Sequence, residues 1–416
     1  MRWNVKLLES IFRPPLCERW VFANPIYPVN LTEDVLVVIK TGYGTKERAA
    51  AWFESLGNAS EFRDFLVIAD FASNEGDHLV YRGQELPVYD MVDKTVHHTQ
   101  GLTQLSHQRA QKYHQLQRAI AAGDKEIALK LSKASGWELD ALKFMSGLEF
   151  AYEKFPNKTW YILADDDTYL VQPSLKPLLG HLDPSKPHYL GNVVGDFRVR
   201  FAHGGSAIIL SQAAIQAMLV ENRKTLQKAH AESLSEVWGD RLLARALIRV
   251  GIYLNEDYSH LFNGESPRES KIRADRFCSP VVAFHTLATS AKMLDTGEHF
   301  GNITQPVLWI DLWDIYKAPA LWRETEGVVG IHNQNSDHVG APGQAVRTVE
   351  GVASAGECAK KCNLRYARTC LAWTWEAGPK RCHMSSWMIV GEKADGKVSG
   401  LNSQRVKRLE MSCLGY

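Results

Sequence analysis

Residues 160–164 read Trp-Tyr-Ile-Leu-Ala, and the three residues that follow are all aspartate, Asp165, Asp166 and Asp167. The apolar run has no polar interruption and is of strand length, so it reads as a strand buried on both faces. Three adjacent carboxylates at its end repel one another and call for a compensating cation, for which a divalent metal is the natural candidate. A solvated acidic turn is the plainer alternative, but Thr168-Tyr169-Leu170 returns at once to apolar character.

Comparable short runs recur at Val35–Ile39, Phe65–Ala69, Tyr189–Val194, Ala207–Leu210 and Val281–Phe284. Between several of them lie amphipathic stretches, such as 137–152, where Leu139, Leu142, Met145 and Leu148 recur at helical spacing. Alternation of this kind predicts an α/β fold with a substantially parallel sheet. Ligands of such sheets collect beyond the carboxyl ends of the strands, which is where the aspartates fall.

The 48 Lys and Arg balance 47 Asp and Glu, which argues against a broad basic face and so against nucleic acid as a partner. No apolar run approaches the roughly 20 residues of a membrane span, and residues 1–15 lack the apolar centre of a signal peptide. Asn-x-Ser/Thr sequons at Asn30, Asn58, Asn157 and Asn302, with four of seven cysteines between 358 and 382, favour an oxidising compartment. The expected location is the secretory pathway, the Golgi lumen or outside the cell, with a signal or anchor upstream of the sequence read here.

Residues 100–134, rich in Gln, His, Lys and Ala, read as an exposed helical insertion or a mobile loop. Near 323–347 the composition shifts to Gly, Asn, His and Pro. The expected organisation is a catalytic domain over 20–322, a linker over 323–339 and a small domain over 340–416. In the small domain, Cys358 and Cys362 share one helix face, Cys370–Trp375 alternates as a strand, and 381–384 supplies a hairpin partner. The cysteines are spaced x3, x7 and x11 without a Cys-x-x-Cys knuckle, which favours disulfides over zinc. Three pairings are open, with Cys358–Cys382 and Cys362–Cys370 preferred, Cys17–Cys278 expected as a third bridge, and the partner of Cys413 open.

The block around Glu357-Cys-Ala-Lys-Lys-Cys362, Cys370-Leu-Ala-Trp-Thr-Trp375 and Cys382 resembles the PAN/apple family, which implies a binding module for protein or carbohydrate. A phosphatase of the haloacid dehalogenase type also uses a strand-end Asp-x-Asp. That pattern lies early in a chain and wants Thr or Val two residues after its second Asp, where this sequence has Tyr169.

The segments Trp160–Leu170 and Phe201-Ala202-His203-Gly204-Gly205-Ser206-Ala207 resemble glycosyltransferase family 31, the fringe-like and core-1 β1,3-galactosyltransferase group. Val38–Thr41, Ile68–Asp70 and Phe284-His285-Thr286 extend the resemblance in the family's order. It implies a GT-A fold, a Mn2+ or other divalent cofactor, a UDP-sugar donor, and a glycan or glycoprotein acceptor. Galactose is favoured as the sugar, with N-acetylglucosamine second, and the linkage is expected to be β1,3.

The same resemblance implies a role for each matching residue. Asp167 becomes the principal metal ligand and His285 the second, while Asp165 lies near the ribose and Asp166 is shared between metal and nucleotide. Lys40, Thr41 and Asp70 border the nucleotide, and Gly204 and Gly205 let backbone approach the sugar. Lys143, by its place on the helix before the aspartate strand rather than by a family motif, is expected to face the nucleotide similarly, with a solvated helical lysine as the plainer alternative. Asp240 becomes the base, although Gly239 stands where the family has a first acid and Ala244 where it has a glycine. Asp240 also reads as a helix N-cap with a low pKa. The departure at Gly239 supports a second reading, a non-catalytic binding protein with a decayed transferase domain.

Overall fold

The computed structural model describes residues 18–74, 78–99, 108–195, 199–319, 333–341, 343 and 345–413. They form two compact units. The first comprises Asn24–Gly264 and Val282–Gln305; the second takes Glu265–Val281 and the described parts of Met1–Ala23 and Pro306–Tyr416.

The first unit is built on a six-stranded sheet of β1 (Val35–Lys40), β2 (Asp64–Ala69), β3 (Val88–Asp90), β4 (Trp160–Asp165), β5 (Tyr189–Gly191) and β6 (Ile208–Ser211). Its order is β3-β2-β1-β4-β6-β5. The first four strands pair in parallel, and β6 runs antiparallel to both β4 and β5. The expected mixed, mainly parallel sheet is therefore present. All of β1 is buried, as continuous apolar runs in a sheet covered on both faces must be.

Six helices matter for the site and its supports: α1 (Lys46–Ser55), α2 (Met91–Thr99), α3 (Gln108–Ala121), α4 (Lys125–Lys154), α5 (Arg223–Ser233) and α6 (Gly239–Arg249). Leu36, Val38, Leu66, Ile68, Tyr161 and Leu163 of the sheet form one core with Phe144, Met145 and Leu148 of α4 and Leu242, Leu243 and Leu247 of α6. The stretch 100–134 meets expectation in part. Residues 100–107 lie outside the described part, while α3 and the start of α4 are helical with exposed outer faces, as expected, but pack one face against the domain. Tyr113, Leu116, Ala119 and Ala128 join Leu139 and Leu142 in a second core cluster. Three apolar positions at helical spacing on α3 suffice to bury one face, which an average over composition does not reveal.

The second unit contains a five-stranded antiparallel sheet, in the order 333–336, 393–401, 372–376, 381–385, 347–349. Cys358–Cys382 and Cys362–Cys370 staple the short helix Ala355–Lys360 and the turn after it to this sheet, as expected. The third bridge is not Cys17–Cys278. Cys278 is bonded to Cys413, across 135 residues, and Cys17 lies outside the described residues. Ile272–Arg273 pairs with Trp387–Met388, so 265–281 belongs with the C-terminal sheet and the units interleave along the chain. Of the expected linker 323–339, residues 323–332 are not described and 333–336 form an edge strand.

His338 is buried in this unit, with Nδ1 3.2 Å from the carbonyls of Ile389 and Val390 and its ring 4.9 Å from that of Trp313. Burial pushes its pKa down from 6.5 to about 4, with the two carbonyls partly opposing. A folded value below the unfolded one stabilises above pH 6.5, and that stability is lost as pH falls through 4. The difference is worth about 3 kcal/mol. Urea midpoints measured from pH 7 to pH 4 should fall for this unit, and His338→Gln should flatten that dependence.

Candidate active site

The sheet brings the C-terminal ends of β1 and β4 side by side, with Lys40 directly opposite Asp165 in the parallel register. Lys40 Nζ lies 2.6 Å from Asp165 Oδ1 and 3.0 Å from Asp140 Oδ2 of α4, and 4.1 Å above the Phe144 ring. Burial disfavours its charge, but Asp140 and Asp165 outweigh that and raise its pKa. One residue further along both strands, Thr41 Oγ1 donates to Asp166 Oδ2 at 2.7 Å.

The three aspartates then part company. Asp166 is only 2% exposed, and its other oxygen meets Arg48 Nη2 of α1 at 2.6 Å. Its pKa is pushed up to about 6 by burial, against the pull of Arg48 and Thr41. Asp165, Asp167 and His285 instead converge, each offering a ligand atom within 4.8 Å of the others. His285 follows the two-residue strand Ala283–Phe284, which pairs with Tyr169–Leu170 and so returns the chain to the aspartates. His285 Nε2 is 3.2 Å from Asp167 Oδ1. Burial opposes both charges, but the contact wins, lowering the Asp167 pKa and raising that of His285. Two carboxylates and an imidazole form a donor set that suits Mn2+, so the residues fit the expected metal.

These groups line a cavity of about 760 Å³, together with Lys40, Thr41, Lys143, Gly204, Gly205 and Asp240. Lys143 Nζ donates to the Thr41 carbonyl at 2.7 Å, which fixes the end of β1 to α4. Asp70 is not in the cavity wall. It is fully buried behind the loop after β1, accepting the Tyr43 amide at 2.8 Å, and holds that loop from beneath. Gly205 serves a neighbour in the protein: a Cβ there would sit 2.2 Å from His285 Nε2. The close approach that demands glycine is that of backbone to imidazole.

Asp240 lies in the first turn of α6, whose N-cap position is Trp238. Its Oδ2 accepts the Gly204 amide at 2.9 Å and its Oδ1 the Arg241 amide at 2.7 Å. Contrary to the low value expected of a cap, burial raises its pKa, with the two amides opposing. Gly239 has a local cause, since a Cβ there would lie 2.1 Å from the Phe144 ring. The Phe144 ring leaves that position no room for a side chain.

Sequence reasoning missed Arg48, Asp140 and His203. His203 Nδ1 lies 2.8 Å from Ser206 Oγ, and its ring is 5.2 Å from that of His285. Trp137 and Trp238, 63% and 44% exposed, also line the cavity and give it an aromatic rim.

Residues 103–238 match the Fringe-like family, and residues 332–413 match the PAN domain. Both resemblances read from the motifs are thus borne out. A 112-residue stretch is 27% identical to glycoprotein-N-acetylgalactosamine 3-beta-galactosyltransferase 1 of Xenopus laevis, covering 26% of this chain and 31% of that protein. The chain therefore spans about a third of the length of the curated relative it matches. The Fringe-like span takes in Lys143, Asp165–Asp167, Gly204 and Gly205; Lys40, Thr41, Asp240 and His285 join them in the cavity.

Proposed function

We propose that the first unit is an inverting, metal-dependent glycosyltransferase of GT-A type, moving a hexose from a UDP-sugar to a hydroxyl of a glycan or glycoprotein. Galactose is the favoured sugar and a β1,3 linkage the favoured product, in keeping with the relative's name. The observation that carries the reading is the meeting of Asp165, Asp167 and His285 in one cavity with Asp240. Asp167 and His285 would hold Mn2+ with Asp165, and the ion would supply positive charge to a departing diphosphate. Lys40 fixes Asp165, and Arg48 fixes Asp166 and the edge of Asp167. Asp240, raised in pKa and fixed by two amides, accepts the proton of the attacking hydroxyl. Trp137 and Trp238 offer faces on which an acceptor sugar can stack. The PAN domain would add a protein or carbohydrate contact, and the secretory pathway is the expected setting. No helix among the described residues is long and apolar enough to cross a membrane.

Two measurements test the reading. UDP with Mn2+ should raise the melting temperature, because a ligand that binds only the folded state stabilises it. A panel of UDP-sugars with Mn2+ should identify one from which UDP is released. Absence of both responses would leave the second reading, a binding protein built on a decayed transferase.

Gly205→Ala probes the approach to His285. The new methyl group would displace the imidazole from Asp167, which as a side-chain end can move at a cost of about 1 kcal/mol. The variant should fold but need at least about tenfold more Mn2+ for half-maximal thermal shift, since displacing one ligand's support costs 10–100-fold in affinity.

A further inference from the structure

A second cluster of metal-binding groups lies on α2, α4 and α5. His230 Nε2 of α5 lies 3.3 Å from Glu149 Oε2 of α4, and His98 Nδ1 of α2 lies 3.8 Å from the same oxygen. The two imidazole rings stand 5.0 Å apart at 71°. One ligand atom from each residue falls within 4.8 Å of the other two. His230 is 5% exposed; its Nε2 faces Glu149, and its Nδ1 has no hydrogen-bond partner among the described residues.

A plain ion pair between Glu149 and one histidine accounts for only part of this. It leaves unexplained why a second imidazole faces the same carboxylate oxygen, and why the Nδ1 of a buried imidazole is left without a hydrogen bond, which costs desolvation. We infer that His98, Glu149 and His230 form a binding site for zinc or a similar late first-row divalent metal, which pins α2 and α5 to α4.

Ligands about 2.0–2.1 Å from a tetrahedral zinc stand about 3.3 Å from one another, so small side-chain movements complete the geometry. Two imidazoles and one carboxylate leave a fourth position for water, on the side where His98 is half exposed. Lys94, the lysine whose charge acts on Glu149, is engaged elsewhere, with Nζ 3.3 Å from Glu153 and 4.2 Å above the Phe150 ring. Imidazole-rich donors favour zinc over manganese, so this cluster and the aspartate site select different ions. The helix it would steady, α4, carries Asp140, Lys143 and Phe144 into the cavity.

The test uses the full chain without an affinity tag, stripped of metal, in an Asp167→Asn background that disables the aspartate site. Zn2+ titrated against a chromogenic chelator should fill one site, and Co2+ should give the ligand-field absorption of tetrahedral coordination. His98→Ala, on the exposed side, should retain the fold by circular dichroism, lose the Co2+ signal and bind Zn2+ at least about 100-fold more weakly. Glu149→Gln, which keeps the side-chain shape, should behave alike. No Zn2+ equivalent in the parent, or a loss below tenfold in both variants, overturns the site.

Discussion

Asp167→Asn is expected to slow UDP release by about a thousandfold or more and to abolish the thermal shift caused by UDP with Mn2+. A bound divalent cation supplies several kcal/mol of charge stabilisation, and each 1.36 kcal/mol is tenfold in rate. The substitution keeps the side-chain shape but removes the charge that faces His285 Nε2 at 3.2 Å. Asp166→Asn is the control. Its carboxylate is buried between Thr41 and Arg48 rather than grouped with His285, so its loss should lower the melting temperature and leave a Mn2+ response. If Asp166→Asn loses the metal response and Asp167→Asn keeps it, the assignment of ligands within the triplet is reversed.

The division of labour among three adjacent aspartates was only partly legible in the sequence. The apolar run at 160–164 and its acidic end indicated a strand and a site, because uninterrupted apolar residues have few places to go but the middle of a sheet. Which carboxylate faces the metal depends on how the chain turns beyond the strand and on partners more than 100 residues away. Arg48 lies in Lys46-Glu47-Arg48, a run that reads as a solvated helix face, yet it neutralises the buried Asp166. Asp140 looks like an ordinary polar position of an amphipathic helix until Lys40 is placed opposite it. Gly205 was legible as a close approach, but only coordinates identify His285 as what approaches. The two short disulfide loops are the preferred choice among three open pairings, whereas Cys278–Cys413 joins positions 135 residues apart and carries no local signal.

Asp240→Asn should separate chemistry from binding. As a general base its removal is expected to lower kcat by about 10² to 10⁴. Because Asp240 is outside the group formed by Asp165, Asp167 and His285, the UDP and Mn2+ thermal shift should persist and KM for the donor should change little. Asparagine retains one acceptor oxygen, so one of the two amide contacts, from Gly204 or Arg241, survives and the helix start should hold. The pH dependence gives a readout that a merely structural aspartate would not move. Burial raises the Asp240 pKa, so the carboxylate is protonated on acidification earlier than an exposed aspartate, and transfer should fall on the acid side. That acid limb should vanish from the residual activity of Asp240→Asn. Transfer within tenfold of the parent, with the acid limb intact, would assign the proton to another group and leave Asp240 only the positioning of Gly204.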